Sequence, residues 1–411
     1  MVGSKKVKVI DARMGLGKTE YALRMMKNNP SKRYIFVTPY LSEVERVIER
    51  CGFIQPKNEQ EGGGHKKKIS HFKELVEGGV SIATTHQMFK MLDVDAVSLL
   101  RQWDYELVLD EVLDVISISK LSRTEFEMLE KLKLIKKDKK AKTWIKGDDD
   151  ELLQKYSHGW SYSEIVRNLM RNSLEIFNSN ILMWLFPTDV LESFKTTYIL
   201  TYMFDGYPLR PYLELHNFEI KKYTIKNREL ADYEPDDTSD LSDLVNIVEG
   251  KSNLVGEGGS SFSMYWYKNV AKSNANIILD IRKGLSNFYK NKTLKTEELT
   301  KKSSIIWTTF KGYADMAIVK GINEDNFLSH NARATNNYSH CANVAYLVNR
   351  NYNPLIKQWL IEKGLKTNDD SFALSEMIQF IWRSRIRNGE NISVYIPSER
   401  MRGLLKKWLN K

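Results

Sequence analysis

The sequence predicts an α/β chain of two tandem domains, each on a parallel sheet, with a largely helical insertion in the first. Three observations predict it. Short apolar runs alternate with helix-spaced segments, and a glycine-containing turn joins the first run to the first helix. The 411 residues leave room for two or three domains at roughly 100–200 residues each.

In chain order, residues 7–10 read as a buried strand, the turn DARMGLGKT follows, and helical spacing covers 20–28. Residues 34–37 form a second strand that ends at Thr38-Pro39, and 41–51 have helical spacing. Segments 81–84 and 107–109 read as further buried strands with helical stretches between. From 117 to 197 the pattern turns mostly helical, with a basic run at 131–146 and an acidic patch at 148–151. A second α/β stretch follows Leu200, with strands expected at 304–307, 343–348 and 392–396. Residues 232–261, acidic and then GEGGSS, have the composition of a mobile loop. The turn residues of DGYPLRPY place the boundary near 210, giving domains 1–210, with the insertion at about 117–197, and 211–411.

Lys and Arg number 62 against 52 Asp and Glu, a formal charge of +10 that selects an anionic partner: nucleic acid, an acidic protein or a membrane surface. Two cysteines, Cys51 and Cys341, exclude a disulfide framework and a multi-cysteine zinc site. Residues 1–11 lack the apolar core of a signal peptide, and no stretch approaches ~18 uninterrupted apolar residues. The most apolar run, 180–190, is broken at Pro187 and Asp189. A soluble cytoplasmic protein without a membrane partner is expected.

Ala12-Arg13-Met14-Gly15-Leu16-Gly17-Lys18-Thr19 sits between a strand and a helix, the setting a phosphate-cradling loop requires. Glycines bring backbone N–H groups close to an anion, and the helix N-terminus adds its dipole. Gly15, Leu16, Gly17, Lys18, Thr19 and Glu20 are the expected binding residues; Lys18 reaches the β- and γ-phosphates, and the Thr19 hydroxyl ligates Mg²⁺. The expected cofactors are ATP and Mg²⁺. Such a loop needs a carboxylate on a neighbouring strand, and Leu107-Val108-Leu109 ends in Asp110-Glu111. Asp110 is expected to hold the metal and Glu111 to polarise the attacking water.

These motifs resemble those of superfamily 2 helicases. AxxGxGKT, with Ala12 first, is similar to their motif I, Val37-Thr38-Pro39 to motif Ia, and Ile82-Ala83-Thr84-Thr85-His86 to the next DNA-contacting motif. Asp110-Glu111-Val112-Leu113 resembles a DExx motif II, and its Leu113 sets it apart from DEAD-box and DEAH-box members. Ile199-Leu200-Thr201 resembles motif III, and Ala332-Arg333-Ala334-Thr335-Asn336 motif V with Ala334 for glycine. Gln379 and Arg383 match motif VI, while Trp382 replaces its glycine and Ile386 its final arginine. On one continuous helix Gln379, Arg383 and Arg387 share a face, with Arg385 pointing elsewhere. Arg383 is therefore the expected arginine finger and Arg387 the second. The set looks most like compact phage-encoded DExx helicases, with the loop near the N-terminus and no appended accessory domain.

The resemblance implies two RecA-like domains, motifs I to III in the first and IV to VI in the second, closing around ATP. It implies a helicase or translocase acting in DNA replication or recombination, in the host cytoplasm if phage-encoded, with proteins of those processes as partners. Nucleic acid, DNA rather than RNA, would be gripped mainly by its phosphates at Thr38, Thr85, Thr309, Lys311 and Thr335. The basic run (Lys131, Lys133, Lys136, Lys137, Lys139, Lys140) offers a duplex grip or a solvated charged hairpin. Trp144, Trp160, Trp266 and Tyr267 are either stacking platforms or core. His330, His340 and Cys341 lack zinc spacing. Three other functions stay open: a branch-migration translocase without strand separation, a P-loop ATPase of another class, and a non-hydrolysing nucleic-acid-binding protein.

Overall fold

Val7, Val9 and Ile10 are buried in strand β1 (Lys6–Asp11), which lies inside a seven-stranded sheet and is covered on both faces. The computed structural model describes residues 5–61, 64–138, 142–295, 303–330 and 337–410, without the side chains of 59–61 and 64–66. The chain divides into two units. The strands of the first are β1, β2 (Arg33–Thr38), β3 (Glu59–Glu61), β4 (Gly64–Lys66), β5 (Ile82–Thr85), β6 (Tyr105–Asp110), β7 (Ile116–Lys120), β8 (Ile135–Lys137), β9 (Thr143–Lys146), β10 (Leu174–Phe177), β11 (Ile181–Leu185), β12 (Thr196–Thr201), β13 (Glu219–Lys226) and β14 (Glu229–Asp232).

The large sheet runs β14-β13-β1-β12-β6-β2-β5, parallel except for the edge strand β14. Parallel strands share one carboxyl edge, so the turn after β1, the acids ending β6 and the turn after β12 all emerge on it. The helix Lys18–Lys27 packs Ala22, Leu23 and Met26 into the core beneath that edge.

The second unit carries a parallel sheet of β15 (Val245–Ile247), β16 (Ile305–Thr308), β17 (Asn343–Tyr346) and β18 (Ile392–Tyr395), in the order β15-β18-β17-β16. Its core holds Trp307, Tyr346 and Tyr395. The expected class, two tandem parallel-sheet α/β domains, is the one observed.

Four expectations need correction. The insertion is not largely helical: between β6 and β12 lies a five-stranded antiparallel sheet, β7-β11-β10-β9-β8. Helices Arg123–Lys131 and Ser163–Met170 supply Phe126, Leu129, Val166 and Leu169 to the same core as Leu174 and Ile176. Its strands are only three to five residues long, too short for their alternation to outweigh the helix formers around them.

The boundary is not near 210. The first unit continues to Glu234, because β13 pairs in parallel with β1, Ile10 opposite Tyr223. The prolines of DGYPLRPY start a helix, with Pro208 as the cap of Leu209–Leu215. The first unit also takes back Asn353–Thr367. The helix Pro354–Glu362 buries Trp359, whose indole donates to Glu175 at 3.0 Å, and Lys363 pairs with Glu175 at 2.8 Å.

Residues 232–261 are not one loop. Leu241 and Val245 enter the second core, and β15 is an edge strand of its sheet. Gly256 sits against the backbone of Pro397, where a Cβ would lie 1.8 Å from the carbonyl oxygen. The last correction concerns the arginines. The helix Asp369–Ile381 stops before Arg383, and Arg387 lies in a separate 3₁₀ turn, Arg385–Asn388. The continuity breaks at Ser384, which is extended at ψ −178°, and the next N–H, that of Arg385, donates to the Cys341 carbonyl at 3.0 Å instead of to Ile381. Gln379, Arg383 and Arg387 therefore do not share one helical face.

Candidate functional site

Gly15 and Gly17 both adopt φ of 85°, a left-handed conformation that glycine reaches without steric cost. These two residues bend the chain from β1 into the helix Lys18–Lys27, whose first-turn N–H groups face the loop. Lys18 folds over the turn and donates from Nζ to the Ala12 carbonyl at 2.5 Å and the Arg13 carbonyl at 3.2 Å. A cation and the first-turn N–H groups of the helix thus share one small space at the carboxyl edge.

The Thr19 hydroxyl donates to Asp110 Oδ1 at 3.1 Å, joining the loop to the end of β6 across β12. Asp110, Glu111 and Glu43 crowd this point. Burial and the charges of Glu111 and Glu43 push the Asp110 carboxyl up to about 7, against the opposing hydroxyl of Thr19 and charge of Lys18. A carboxylate so crowded by like charge, beside a hydroxyl oxygen, is a hard-oxygen set suited to a divalent cation. Among the described residues no cluster of three or more His, Cys, Asp or Glu side chains is arranged to hold a metal by itself. The donors fit Mg²⁺, which takes one or two protein oxygens and fills its octahedron with phosphate and water.

Glu111 has φ of 75°, left-handed although it carries a Cβ, at a cost of about 1–2 kcal/mol. Its N–H donates to the Leu200 carbonyl at 3.0 Å, the last ladder bond between β6 and β12, so the chain turns away only after this bond is made. Replacing it with glycine should relieve this strain. We expect Glu111→Gly to be about 1 kcal/mol more stable than the parent, read as a higher thermal midpoint. An unchanged or lower midpoint refutes stored strain here.

The turn after β12 is pinned from β1. Asp11 is buried and accepts from the backbone N–H of Met203 at 2.7 Å and of Phe204 at 3.1 Å, and Lys222 of β13 lies 3.3 Å away. One carboxylate thus ties the end of β1 to the turn after β12 and to the middle of β13. Sequence reading passed over Asp11, and a polar residue closing an apolar strand just before the glycine turn was the available signal.

The remaining expected residues divide. Thr85 stays half-buried and caps the helix His86–Phe89, while Lys311 is exposed at the start of a 3₁₀ turn. Thr38 is fully buried, so its hydroxyl is not offered to a strand. Thr309 is buried as well and donates to the Leu347 carbonyl at 3.3 Å. Thr335, with the whole of 332–336, and Lys139 and Lys140 lie outside the described residues. Gln379 and Arg383 are half-buried and Arg387 is exposed, while Arg385 is tied to the Asn391 carbonyl at 2.6 Å.

Trp266 and Tyr267 are core residues of the second unit, and Trp144 meets Phe126 edge-on at 5.0 Å, which takes these three out of the stacking role. Lys136 pairs with Asp148, and Lys146 with Asp150 at 2.8 Å, so the acidic patch neutralises part of the basic run. No helix among the described residues is long and apolar enough to cross a membrane.

Comparison with known proteins bears on these features. Residues 239–409 match a family model described as the YonV C-terminal Rossmann-like domain. The solved structure titled "XPD_APO" superposes with a TM-score of 0.50 at 14% identity, covering 98% of this chain and 96% of that one. "XPD_Helicase" gives 0.48 at 12%, covering 98% and 95%. At such identity the first likeness shows the fold, two tandem RecA-like domains. The "SPbeta prophage-derived uncharacterized protein YonV" of Bacillus subtilis (strain 168) is 33% identical over 418 residues, 98% of this chain and 99% of that protein. Identity at that level, sustained end to end, goes well beyond a shared fold: the chain belongs to the YonV family.

Proposed function

We propose that this chain is a nucleic-acid-stimulated ATPase of the helicase or translocase type. The observation that carries the reading is the Thr19–Asp110 hydrogen bond, which ties a glycine loop bearing Lys18 to a strand ending in Asp110-Glu111. In this reading the N–H groups of residues 15–20 and the Lys18 ammonium hold the β- and γ-phosphates. Thr19 and Asp110 hold Mg²⁺, which when bound neutralises the charge spread over the phosphate oxygens. Glu111 accepts a proton from water as the water oxygen bonds to the γ-phosphorus. The bond from that phosphorus to the β–γ bridging oxygen breaks, and ADP leaves with the electron pair. Arg383, with Arg387 as second, is assigned the guanidinium that stabilises charge on the γ-phosphoryl group.

The substrate is nucleic acid, DNA in preference to RNA, held mainly through phosphates, with replication or recombination as the setting. The excess of basic residues supports a salt-sensitive backbone grip. The deciding measurement is ATP turnover titrated with single-stranded, duplex, forked and four-way DNA and with RNA. We expect single-stranded DNA to raise turnover about tenfold or more, with stimulation falling steeply as salt rises. Arg383→Ala should lower the stimulated rate by about 10³-fold, the scale of an arginine finger. Turnover indifferent to every nucleic acid would sink the motor reading, and preference for the four-way substrate would assign branch migration.

A further inference from the structure

The phosphate loop has two flanks, and only one carries the acids. Asp110 and Glu111 stand beyond β12 on one side of β1, while β13 is the neighbour on the other. A triphosphate whose γ end meets Glu111 must extend its ribose and base toward the β13 side. There the structure holds a cavity of about 740 Å³ that runs from Gly15 and Gly17 outward. Pockets for drug-sized ligands span roughly 300–1,000 Å³, so a nucleoside fits.

The cavity's walls come from three elements of the first unit. Leu23 of the helix Lys18–Lys27, Ile225 of β13 and Cys51 supply apolar surface. Arg24 stands beside them, and its guanidinium donates to the Arg228 carbonyl and to Glu229 at 2.8 Å. That contact fastens the β13–β14 hairpin to the loop's own helix. The hairpin outruns β1, continuing to Lys226 past the Ile10–Tyr223 pairing, and its two-residue tip, Asn227-Arg228, reaches the cavity. An apolar wall with a guanidinium suits a flat aromatic ring. The Asn227 amide carries both a donor and an acceptor, the pair that matches the N6/N7 edge of adenine.

We propose that this cavity is the base-and-ribose site for the purine nucleotide, with Asn227 at the hairpin tip reading the base edge. The proposal rests on the nucleotide reading of the phosphate loop. A purely structural role for Asn227 also has a basis, since φ of 52° and 65° at the tip makes a primed turn that favours asparagine. Asn227→Gly separates the two, because glycine keeps the turn and deletes the amide.

The test uses the full chain and the half-buried Cys51 as a reporter, with the buried Cys341 as internal control. Alkylation of Cys51 by N-ethylmaleimide is followed by peptide mass spectrometry with Mg²⁺ and ATP, ADP or inorganic tripolyphosphate. ATP and ADP should slow it about fivefold or more, since a seated ligand buries most of its surface, whereas tripolyphosphate should leave it unchanged. Asn227→Gly should raise the KM for ATP about tenfold with kcat unchanged. Equal protection by tripolyphosphate, or an unchanged KM, overturns the proposal. Calorimetric ATP binding without Cys51 protection overturns this proposal alone. Absence of binding by both ATP and tripolyphosphate overturns it together with the nucleotide reading.

Discussion

Glu111→Gln is expected to bind ATP with parent-like affinity and to hydrolyse it about 10²–10⁴-fold more slowly, the usual range for removing a positioned general base. The amide retains the size of the side chain and the backbone hydrogen bond to Leu200. It also retains the left-handed φ and its strain. What it loses is the ability to take a proton at the carboxyl edge. It further removes one of the two charges that push the Asp110 carboxyl upward, so Asp110 should ionise more readily. Affinity for Mg²⁺-ATP therefore has no reason to fall. Single-turnover hydrolysis beside equilibrium nucleotide binding separates the two effects. Parent-like strand-stimulated turnover in Glu111→Gln would remove Glu111 from the chemistry.

Lys18→Ala should abolish turnover by weakening the bound triphosphate itself. Charge-assisted hydrogen bonds contribute about 1.5–3 kcal/mol each, so losing two phosphate contacts costs about 3–6 kcal/mol, or about 10²–10⁴-fold in affinity. The folded protein should survive, because Lys18 is half-buried and donates to two carbonyls of its own loop. Isothermal titration with ATP is the direct measurement, and near-parent affinity would show that the loop does not grip phosphate through Lys18. The two variants fail differently. Glu111→Gln accumulates bound ATP, and Lys18→Ala binds little.

The legible features were those whose geometry is local. Gly15 and Gly17 need positive φ, β1 needs only its own apolar residues, and Lys18-Thr19 follows within one helical turn. The apolar run ending in Asp110-Glu111 likewise announced a buried strand with charge at its carboxyl end. Arg383 and Arg387 show where local reasoning failed. Their spacing is helical, but Ser384 is extended, the Arg385 N–H goes to the distant Cys341 carbonyl, and a new turn begins. The hairpin tip Asn227-Arg228 had a readable signal, an asparagine between two alternating runs, yet nothing local says that it reaches the phosphate loop.

Strand partners over long separations were not legible. β7 pairs with β11 more than sixty residues on, Ile116 opposite Leu185, and this pairing turns an apparently helical insertion into a sheet. β13 reaches back some two hundred residues to β1, Val7 opposite Ile220, and moves the unit boundary to Glu234. The amino-acid sequence alone specified the α/β class, the loop conformation and the chain positions of Lys18-Thr19 at the start of its helix and Asp110-Glu111 at the end of its strand, because dihedral preference and strand–helix periodicity act within a few residues. Tertiary structure alone decided which strand flanks the loop, which threonines are buried and what faces the cavity. Those outcomes depend on competing partners for the same backbone edge, and the winner is the pairing that buries the most apolar surface with its polar groups satisfied.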